Sequence, residues 1–180
     1  DTVRADHLHC YGYKNIQTPN IDSLAATGTL FENAVTQTPL TLPSHASMFT
    51  GTNPNVSGVR DTGGFALQPS FVTLATILQN HGWNTAAFIS SSVLKKVFGL
   101  NQGFSIYDDQ MSETHDDYGQ SVSTRPASLT VDHAVAWLNT KPQQPFMMWV
   151  HLYDAHEPYN PPPQFRKAYP GDPYDADIAF

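Results

Sequence analysis

Eight residues near the end of the chain, 145–152, constrain its fold more than any other segment. They read PFMMWVHL, so apolar side chains fall on both faces of the strand that this run predicts. Strands of that kind are typical of a parallel sheet that is covered on both sides. A second short buried strand is predicted at 85–90, where the chain reads TAAFIS.

Helices are predicted elsewhere in the chain from the periodicity of their apolar residues and from their end signals. The segment 18–28 begins with Thr18 and Pro19, ends at Gly28, and is expected to turn Ile21 and Leu24 inward. Further helices are predicted at 71–81 and 127–139, a strand at 30–35, and a regular element at 174–180. Helices that alternate with short apolar strands favour an α/β fold with a mostly parallel central sheet and helices on both faces.

Composition narrows the class of protein. With 40% hydrophobic and 14% charged residues in 180, the chain is globular rather than disordered. Its net charge of −7, with no basic cluster beyond Lys95–Lys96, argues against nucleic acid as a partner. No run is long and apolar enough to span a membrane, and no signal peptide is visible. Since the chain starts at Asp1 without Met, we expect a piece of a longer protein, cut at both ends.

The segment 38–51 is the main candidate for chemistry. Thr41 precedes Pro43 and Ser44, which open a helical run that Gly51 is expected to end. Thr41 should therefore lie at or just before a helix N-terminus, where free N–H groups and the positive dipole end attract anions. A hydroxyl in that place can become a nucleophile when a metal or a base activates it. The alternative is that Thr41 or Ser44 is only an N-cap.

Other candidates follow predicted strands, where α/β folds gather their sites. Asp1 is placed as if a strand had just ended and can be a metal ligand, or it can cap a turn, a role that Asp6 fits better. If the strand runs to Leu152, His151 lies inside it and is expected to be a packed histidine. His156 lies beyond it in a proline-bounded loop and is the preferred site residue, with Asp154 to orient it.

The remaining polar candidates favour structural or solvated roles. A zinc site in the segment 151–159 is a weak alternative, because its spacing matches no common zinc motif. The single cysteine, Cys10, excludes an internal disulfide and is expected to serve packing. Four acidic residues in the polar segment 102–125 are expected to be solvated loop charges: Asp108, Asp109, Asp116 and Asp117.

Four segments, taken together and in this order, resemble the sulfatase family of the alkaline-phosphatase-like superfamily. They are DTVRAD at 1–6 with CYGY at 10–13, TPNIDSLA at 18–25, TLPSH at 41–45 with TG at 50–51, and HLYDAHEPY at 151–159. The resemblance implies an alkaline-phosphatase-like sandwich, of which residues 1–180 form a single partial catalytic domain. It covers only the N-terminal part of a sulfatase-type domain.

The resemblance also assigns roles around Thr41. The family pattern is Cys/Ser-x-Pro-x-Arg, whose first residue becomes formylglycine, attacks the ester and touches a divalent metal. Thr41 occupies the first position and His45 the arginine position. Threonine cannot become formylglycine, but relatives in the superfamily use an unmodified Thr or Ser for phosphoryl transfer. The resemblance therefore implies Thr41 as nucleophile and His45 as a further catalytic residue.

The metal and substrate contacts depart from the family pattern. The paired aspartates of the family are Asp1-Thr2 here, which leaves Asp1 and Thr41 as metal ligands in this piece. The resemblance implies one divalent ion, calcium, with magnesium, manganese or zinc as alternatives. A lysine and a histidine of the family align near Ser90 and Ser92, which makes Ser90 and Lys95 the substrate-binding candidates. His156 matches the active-site histidine that precedes a proline.

These residues imply a metal-dependent hydrolase or transferase of sulfate, phosphate or phosphonate esters. Its substrate would be an anionic small molecule or a glycan or lipid ester, in a cytoplasmic or periplasmic location. Because Thr41 has one hydroxyl where the hydrate of formylglycine offers two, phosphate or phosphonate esters are favoured over sulfate. The alternative is a non-catalytic sulfatase-like domain that binds or scaffolds, having lost the family's cationic residues.

Overall fold

A computed structural model describes residues 1–115, 121–142 and 145–180. The chain forms two compact units, one made of residues 1–35 and 153–180, the other of residues 36–152. Seven α-helices lie in the described residues: α1 Pro19–Thr27, α2 Thr41–Thr50, α3 Pro54–Ser57, α4 Leu74–Asn80, α5 Ala127–Asn139, α6 Pro163–Ala168 and α7 Pro173–Ala179. The strands are β1 Asn84–Phe88, β2 Ile106–Asp108, β3 Ser112–His115, β4 Ser121–Thr124 and β5 Phe146–Val150.

The unit of residues 36–152 holds a three-stranded sheet in the order β2-β1-β5, with both pairings parallel. Ala86 of β1 lies opposite Ile106 of β2 and Met148 of β5, so the three strands share one register and end at the same edge. β3 and β4 form a separate antiparallel pair. The predicted strands at 85–90 and 145–152 and the predicted parallel sheet are confirmed.

Helices cover both faces of this sheet. On one face, Ala87 and Trp149 pack against α2 through its apolar residues Leu42, Ala46 and Phe49. On the other, Phe88 and Met148 pack with α5 through Ala134 and Trp137. The alternation of β5 thus sends Met147 and Trp149 to one core and Met148 and Val150 to the other, as its two-faced apolar run predicts. The helix predicted at 127–139 is α5, with the same bounds.

The unit of residues 1–35 and 153–180 is organised around buried side chains of α7. The Asp175 carboxylate, 4% exposed, accepts from the Tyr13 hydroxyl at 2.6 Å and lies 2.6 Å from His7 Nδ1. The Tyr174 hydroxyl donates to the Thr2 carbonyl at 2.7 Å. These bonds tie the first residues of the chain to the element predicted at 174–180, which is the helix α7.

Three expectations about local structure are wrong. Residues 30–35 form no strand: Glu32 and Asn33 make a turn, and Phe31 and Val35 are 70% and 84% exposed. The helix predicted at 18–28 exists as α1, but no residue of it is buried, and Leu24 is 73% exposed. The helix predicted from 71 starts at Leu74, because the Thr73 side chain caps it by accepting from the Thr76 N–H.

The expectation that the acidic residues of the polar segment 102–125 are solvated loop charges is wrong for Asp108 and Asp109. Asp108 pairs with Arg125 and with His133, and Asp109 is 9% exposed and accepts from the Lys96 N–H at 2.8 Å. Asp116 and Asp117 lie outside the described residues. No helix among those described has the length and apolarity to cross a membrane.

Candidate active site

Thr41 is the first residue of α2, and Leu40 is the residue that caps the helix. The alternative that Thr41 or Ser44 is the N-cap is therefore wrong: the Ser44 hydroxyl instead donates to the Thr41 carbonyl at 3.0 Å. Gly51 ends the helix with φ +65°, a left-handed conformation that glycine adopts without strain, and its N–H donates to the Ser47 carbonyl. Thr41 thus stands at the positive end of a ten-residue helix.

His45 lies one helical turn after Thr41 and is half-buried. Its Nδ1 is 2.7 Å from the Thr41 carbonyl oxygen. Because a carbonyl can only accept, Nδ1 carries the proton and Nε2 carries the lone pair. Burial lowers the pKa of His45 to about 4, so the ring is neutral at physiological pH. Unlike the arginine of the family pattern, His45 therefore brings no positive charge to this position.

His151 and Ser90 lie just past the carboxyl ends of β5 and β1, next to His45. His151 is 5% exposed, as the sequence predicts for a packed histidine, and its ring centroid is 5.1 Å from that of His45. Ser90 is fully buried, and its hydroxyl contacts both His151 Nδ1, at 3.2 Å, and the His151 carbonyl. Burial lowers the pKa of His151 to about 3, so this ring is neutral as well.

Lys95 is half-buried between two 3-10 turns, Ser92–Leu94 and Lys96–Phe98. Its backbone N–H donates to the Ser92 carbonyl at 3.2 Å. The substrate-binding roles of Ser90 and Lys95 stay predictions. So do the catalytic roles of Thr41 and His45, although the structure does bring these two residues together.

Asp1 and Thr2 belong to the other unit, where Thr2 is held by a dense set of bonds. Thr2 has φ +54°, which is rare for a β-branched residue. Its N–H donates to the Asp1 carboxylate at 2.8 Å, and its hydroxyl donates to the Ala155 carbonyl at 2.5 Å. The bonds of Thr2 fix the N-terminal segment, including Asp1, against the loop that carries His156.

His156 is half-buried in that same unit, stacked on Tyr153 with ring centroids 4.5 Å apart. Its Nδ1 is 2.9 Å from the Tyr153 hydroxyl and 2.7 Å from the Glu157 carbonyl. Tyr153 thus orients the His156 ring, and the orienting role expected for Asp154 stays a prediction. The ring's orientation is set by its own loop.

Two parts of the site were not found by sequence reasoning. One is the packing of Trp149 on His45, with ring centroids 5.3 Å apart, and the other is the contact of His151 with His45. Trp149 and His151 are two residues apart, so the alternation of side chains along a strand places both on the same face. Which helix packs on that face depends on the tertiary structure. Across the described ranges, no group of three or more His, Cys, Asp or Glu side chains is arranged to hold a metal ion.

The sulfatase family model matches residues 1–178, which is nearly the whole chain. The chain belongs to the sulfatase family. This sulfatase chain is 24% identical to the uncharacterized sulfatase YidJ of Escherichia coli over 203 aligned residues, with 94% of this chain and 39% of the relative covered.

Solved structures agree on the fold of this sulfatase chain. BT4656, in complex with its substrate D-glucosamine-2-N,6-O-disulfate, superposes with a TM-score of 0.74 and 26% identity, over 92% of this chain and 35% of that one. The phosphonate monoester hydrolase of Agrobacterium radiobacter gives a TM-score of 0.74 at 19% identity, over 93% and 42%, and supports the fold alone. The expected alkaline-phosphatase-like α/β architecture is confirmed. The chain spans only about two fifths of the length of these proteins.

Proposed function

We propose that this chain supplies the nucleophile and part of the metal site to a metal-dependent hydrolase of sulfate esters, with Thr41 as the nucleophile. The observation that carries the proposal is the place of Thr41 as the first residue of α2, in a chain that matches the sulfatase family over residues 1–178. The helix N-terminus favours an anionic group beside the Thr41 hydroxyl.

The reaction proceeds in two displacements. The Thr41 oxygen attacks the sulfur, the Oγ–S bond forms, the S–O bond to the leaving group breaks, and the Thr41 proton ends on the leaving alcohol. Water then attacks the same sulfur, the Oγ–S bond breaks, one proton of the water returns to Thr41 Oγ, and hydrogen sulfate leaves. The N–H groups at the start of α2 and the His156 side chain stabilise the charge that develops on the transferred group.

The family resemblance points to Asp1 and Thr41 as residues that would hold a divalent cation, with further ligands from other parts of the protein. The Asp1 carboxylate suits a hard cation, and its Oδ1 is oriented by the Thr2 N–H. One carboxylate and one hydroxyl are too few for tight binding by themselves. When bound, the ion supplies Lewis-acid polarisation of the transferring group. Calcium is proposed from the family resemblance, with magnesium, manganese and zinc as alternatives.

A sulfated sugar is the first substrate to test. The relative BT4656 binds a disulfated glucosamine as its substrate, and it shares 26% of its residues with this chain over the aligned region. Because His45 is neutral, the positive charge that such a substrate needs is proposed to come from Lys95 and from the N-terminal end of α2.

Phosphate or phosphonate esters are the second candidate, and the chemistry of Thr41 favours them. A covalent adduct on the single hydroxyl of Thr41 must be cleared by attack of water at the transferred group itself, which is easier at phosphorus than at sulfur. The hydrate of formylglycine avoids this step, because its second hydroxyl expels the sulfate.

The test is the turnover of matched aryl sulfate, aryl phosphate and sulfated glucosamine substrates by the full-length protein. Thr41→Val removes the hydroxyl and keeps the branched shape, and Thr41→Ser restores a hydroxyl as the matched control. Sulfate turnover that Thr41→Val abolishes and Thr41→Ser retains supports the proposal. Faster phosphate turnover with the same variant pattern selects the second candidate. Activity that survives Thr41→Val contradicts both, and absence of all turnover favours a non-catalytic binding domain.

A further inference from the structure

Ser90 and His151 are joined by two contacts that fix where their protons lie. The Ser90 hydroxyl has one proton, and it donates to the His151 carbonyl, which can only accept. The contact between Ser90 Oγ and His151 Nδ1, at 3.2 Å, must therefore be donated by the ring. His151 is thus held as the tautomer with its proton on Nδ1.

The same two residues are fixed to the sheet. The His151 N–H donates to the Phe88 carbonyl at 2.9 Å, which extends the β1–β5 pairing by one residue past its carboxyl end. Ser90 follows β1 by two residues and is fully buried. Groups anchored on strands are held more precisely than groups on loops.

His45 is packed against this anchored pair. Its ring meets the edge of His151 with centroids 5.1 Å apart at 70°, and it meets Trp149 at 5.3 Å. Its Nδ1 donates to the Thr41 carbonyl at 2.7 Å. A continuous path of contacts therefore runs from Ser90 through His151 and His45 to the backbone of Thr41.

We propose that Ser90 and His151 are positioning residues that hold His45, and through it the first turn of α2 with Thr41, in the geometry required for attack. This assignment rests on the proposed function of Thr41. It gives Ser90 a different role from substrate binding, the role that the family resemblance implies for this position. Buried groups that orient a reacting residue act through placement, and an ångström of misplacement can cost about 100-fold in rate.

The test compares Ser90→Ala with Ser90→Thr in the full-length protein. Ser90→Ala removes both bonds to His151, and Ser90→Thr keeps the hydroxyl. Ser91→Ala is the matched control, because Ser91 is the next residue and is 3% exposed. We expect Ser90→Ala to lower kcat on the aryl ester about tenfold or more with KM changed less than about threefold. Ser90→Thr should retain more of the kcat than Ser90→Ala, and Ser91→Ala should stay near wild type.

Nitrogen-15 NMR of labelled histidines gives a readout that does not depend on turnover. In the wild-type protein, His45 and His151 should each show a protonated Nδ1. In Ser90→Ala, the ring resonances of both His151 and His45 should shift.

Three results would overturn the proposal. They are a raised KM with normal kcat in Ser90→Ala, a lowered melting temperature with normal kcat, and unchanged spectra of both histidines. Turnover that survives Thr41→Val contradicts the proposed function instead. If the wild-type protein turns over no ester, the histidine spectra alone decide the positioning role.

Discussion

The guanidinium of Arg125 donates to the carboxylate of Asp108 at 2.8 Å, and the Arg125 side chain is 2% exposed. The other oxygen of Asp108 lies 2.6 Å from His133 Nδ1 on α5, and Arg125 Nε donates to Thr130 Oγ1 at 3.1 Å. The last residue of β2 is therefore bound both to the residue that precedes Pro126 and to the helix that covers the sheet.

We expect Asp108→Asn to destabilise the protein by about 3 kcal/mol, because it leaves a buried guanidinium charge without its counter-ion. Urea denaturation of the full-length protein measures this. The control is Asp61→Asn, since Asp61 is exposed and accepts hydrogen bonds from the adjacent Thr62. A loss no larger than that of the control would show that the pair does not hold β2 to α5.

His156 is predicted to affect turnover and hardly to affect folding. It is half-buried in a proline-bounded loop, so His156→Ala leaves no closed cavity. We expect a loss in kcat of about 100-fold, the usual effect of removing one charge-stabilising donor. Tyr153→Phe is the matched control: it removes the hydroxyl beside His156 Nδ1, keeps the stacked ring, and should cost less than about tenfold. Near-normal kcat with a clearly lower melting temperature in His156→Ala would make the histidine structural.

Asp1→Asn is predicted to lower the affinity for a divalent cation and the activity together, by about tenfold or more, because it removes the charge of a ligand carboxylate. Isothermal titration calorimetry of the metal-free full-length protein with calcium, magnesium and manganese gives the affinity. Asp6→Asn serves as the control, since Asp6 is exposed and pairs with Arg4 at 2.6 Å. Unchanged affinity in Asp1→Asn, or activity retained at saturating metal, would remove Asp1 from the metal site.

Asp177 gives a pH-dependent prediction. Burial raises the pKa of this carboxyl from 3.8 to about 6, while one oxygen accepts from the Asn160 N–H at 3.1 Å. The folded state therefore binds this proton more tightly than the unfolded state, and its stabilising effect is lost as the pH rises through about 6. Asp177→Asn keeps an oxygen for Asn160 and cannot ionise. Its melting temperature should exceed that of wild type at about pH 8 and match it at about pH 4. A variant less stable than wild type at both pH values would contradict this.

Sequence patterns predicted those elements whose signals are local. β5 follows from a run that is apolar on both faces, and α5 follows from its period between Pro126 and Asn139. The start of α2 follows from Pro43 and its end from Gly51. In each case, propensity, periodicity and end signals within one segment agree.

The failures concern features that depend on distant residues. The apolar residues at 30–35 resemble a strand, but a strand needs a neighbour to pair with, and the turn at Glu32 and Asn33 interrupts the run. Asp108 lies in a polar segment, and its buried partner Arg125 is 17 residues away. The contact between His45 and His151 likewise depends on how α2 packs on β5. No single segment carries that information.

Trapping the covalent intermediate tests the role of Thr41 most directly. The full-length protein is mixed with the aryl ester that it turns over fastest, quenched within one turnover, digested and analysed by peptide mass spectrometry. We expect one added sulfuryl or phosphoryl group on the peptide that contains Thr41, with fragmentation placing it on Thr41 and no adduct in Thr41→Val. An adduct on Ser44 or on any other residue, or turnover by Thr41→Val without an adduct, would contradict it.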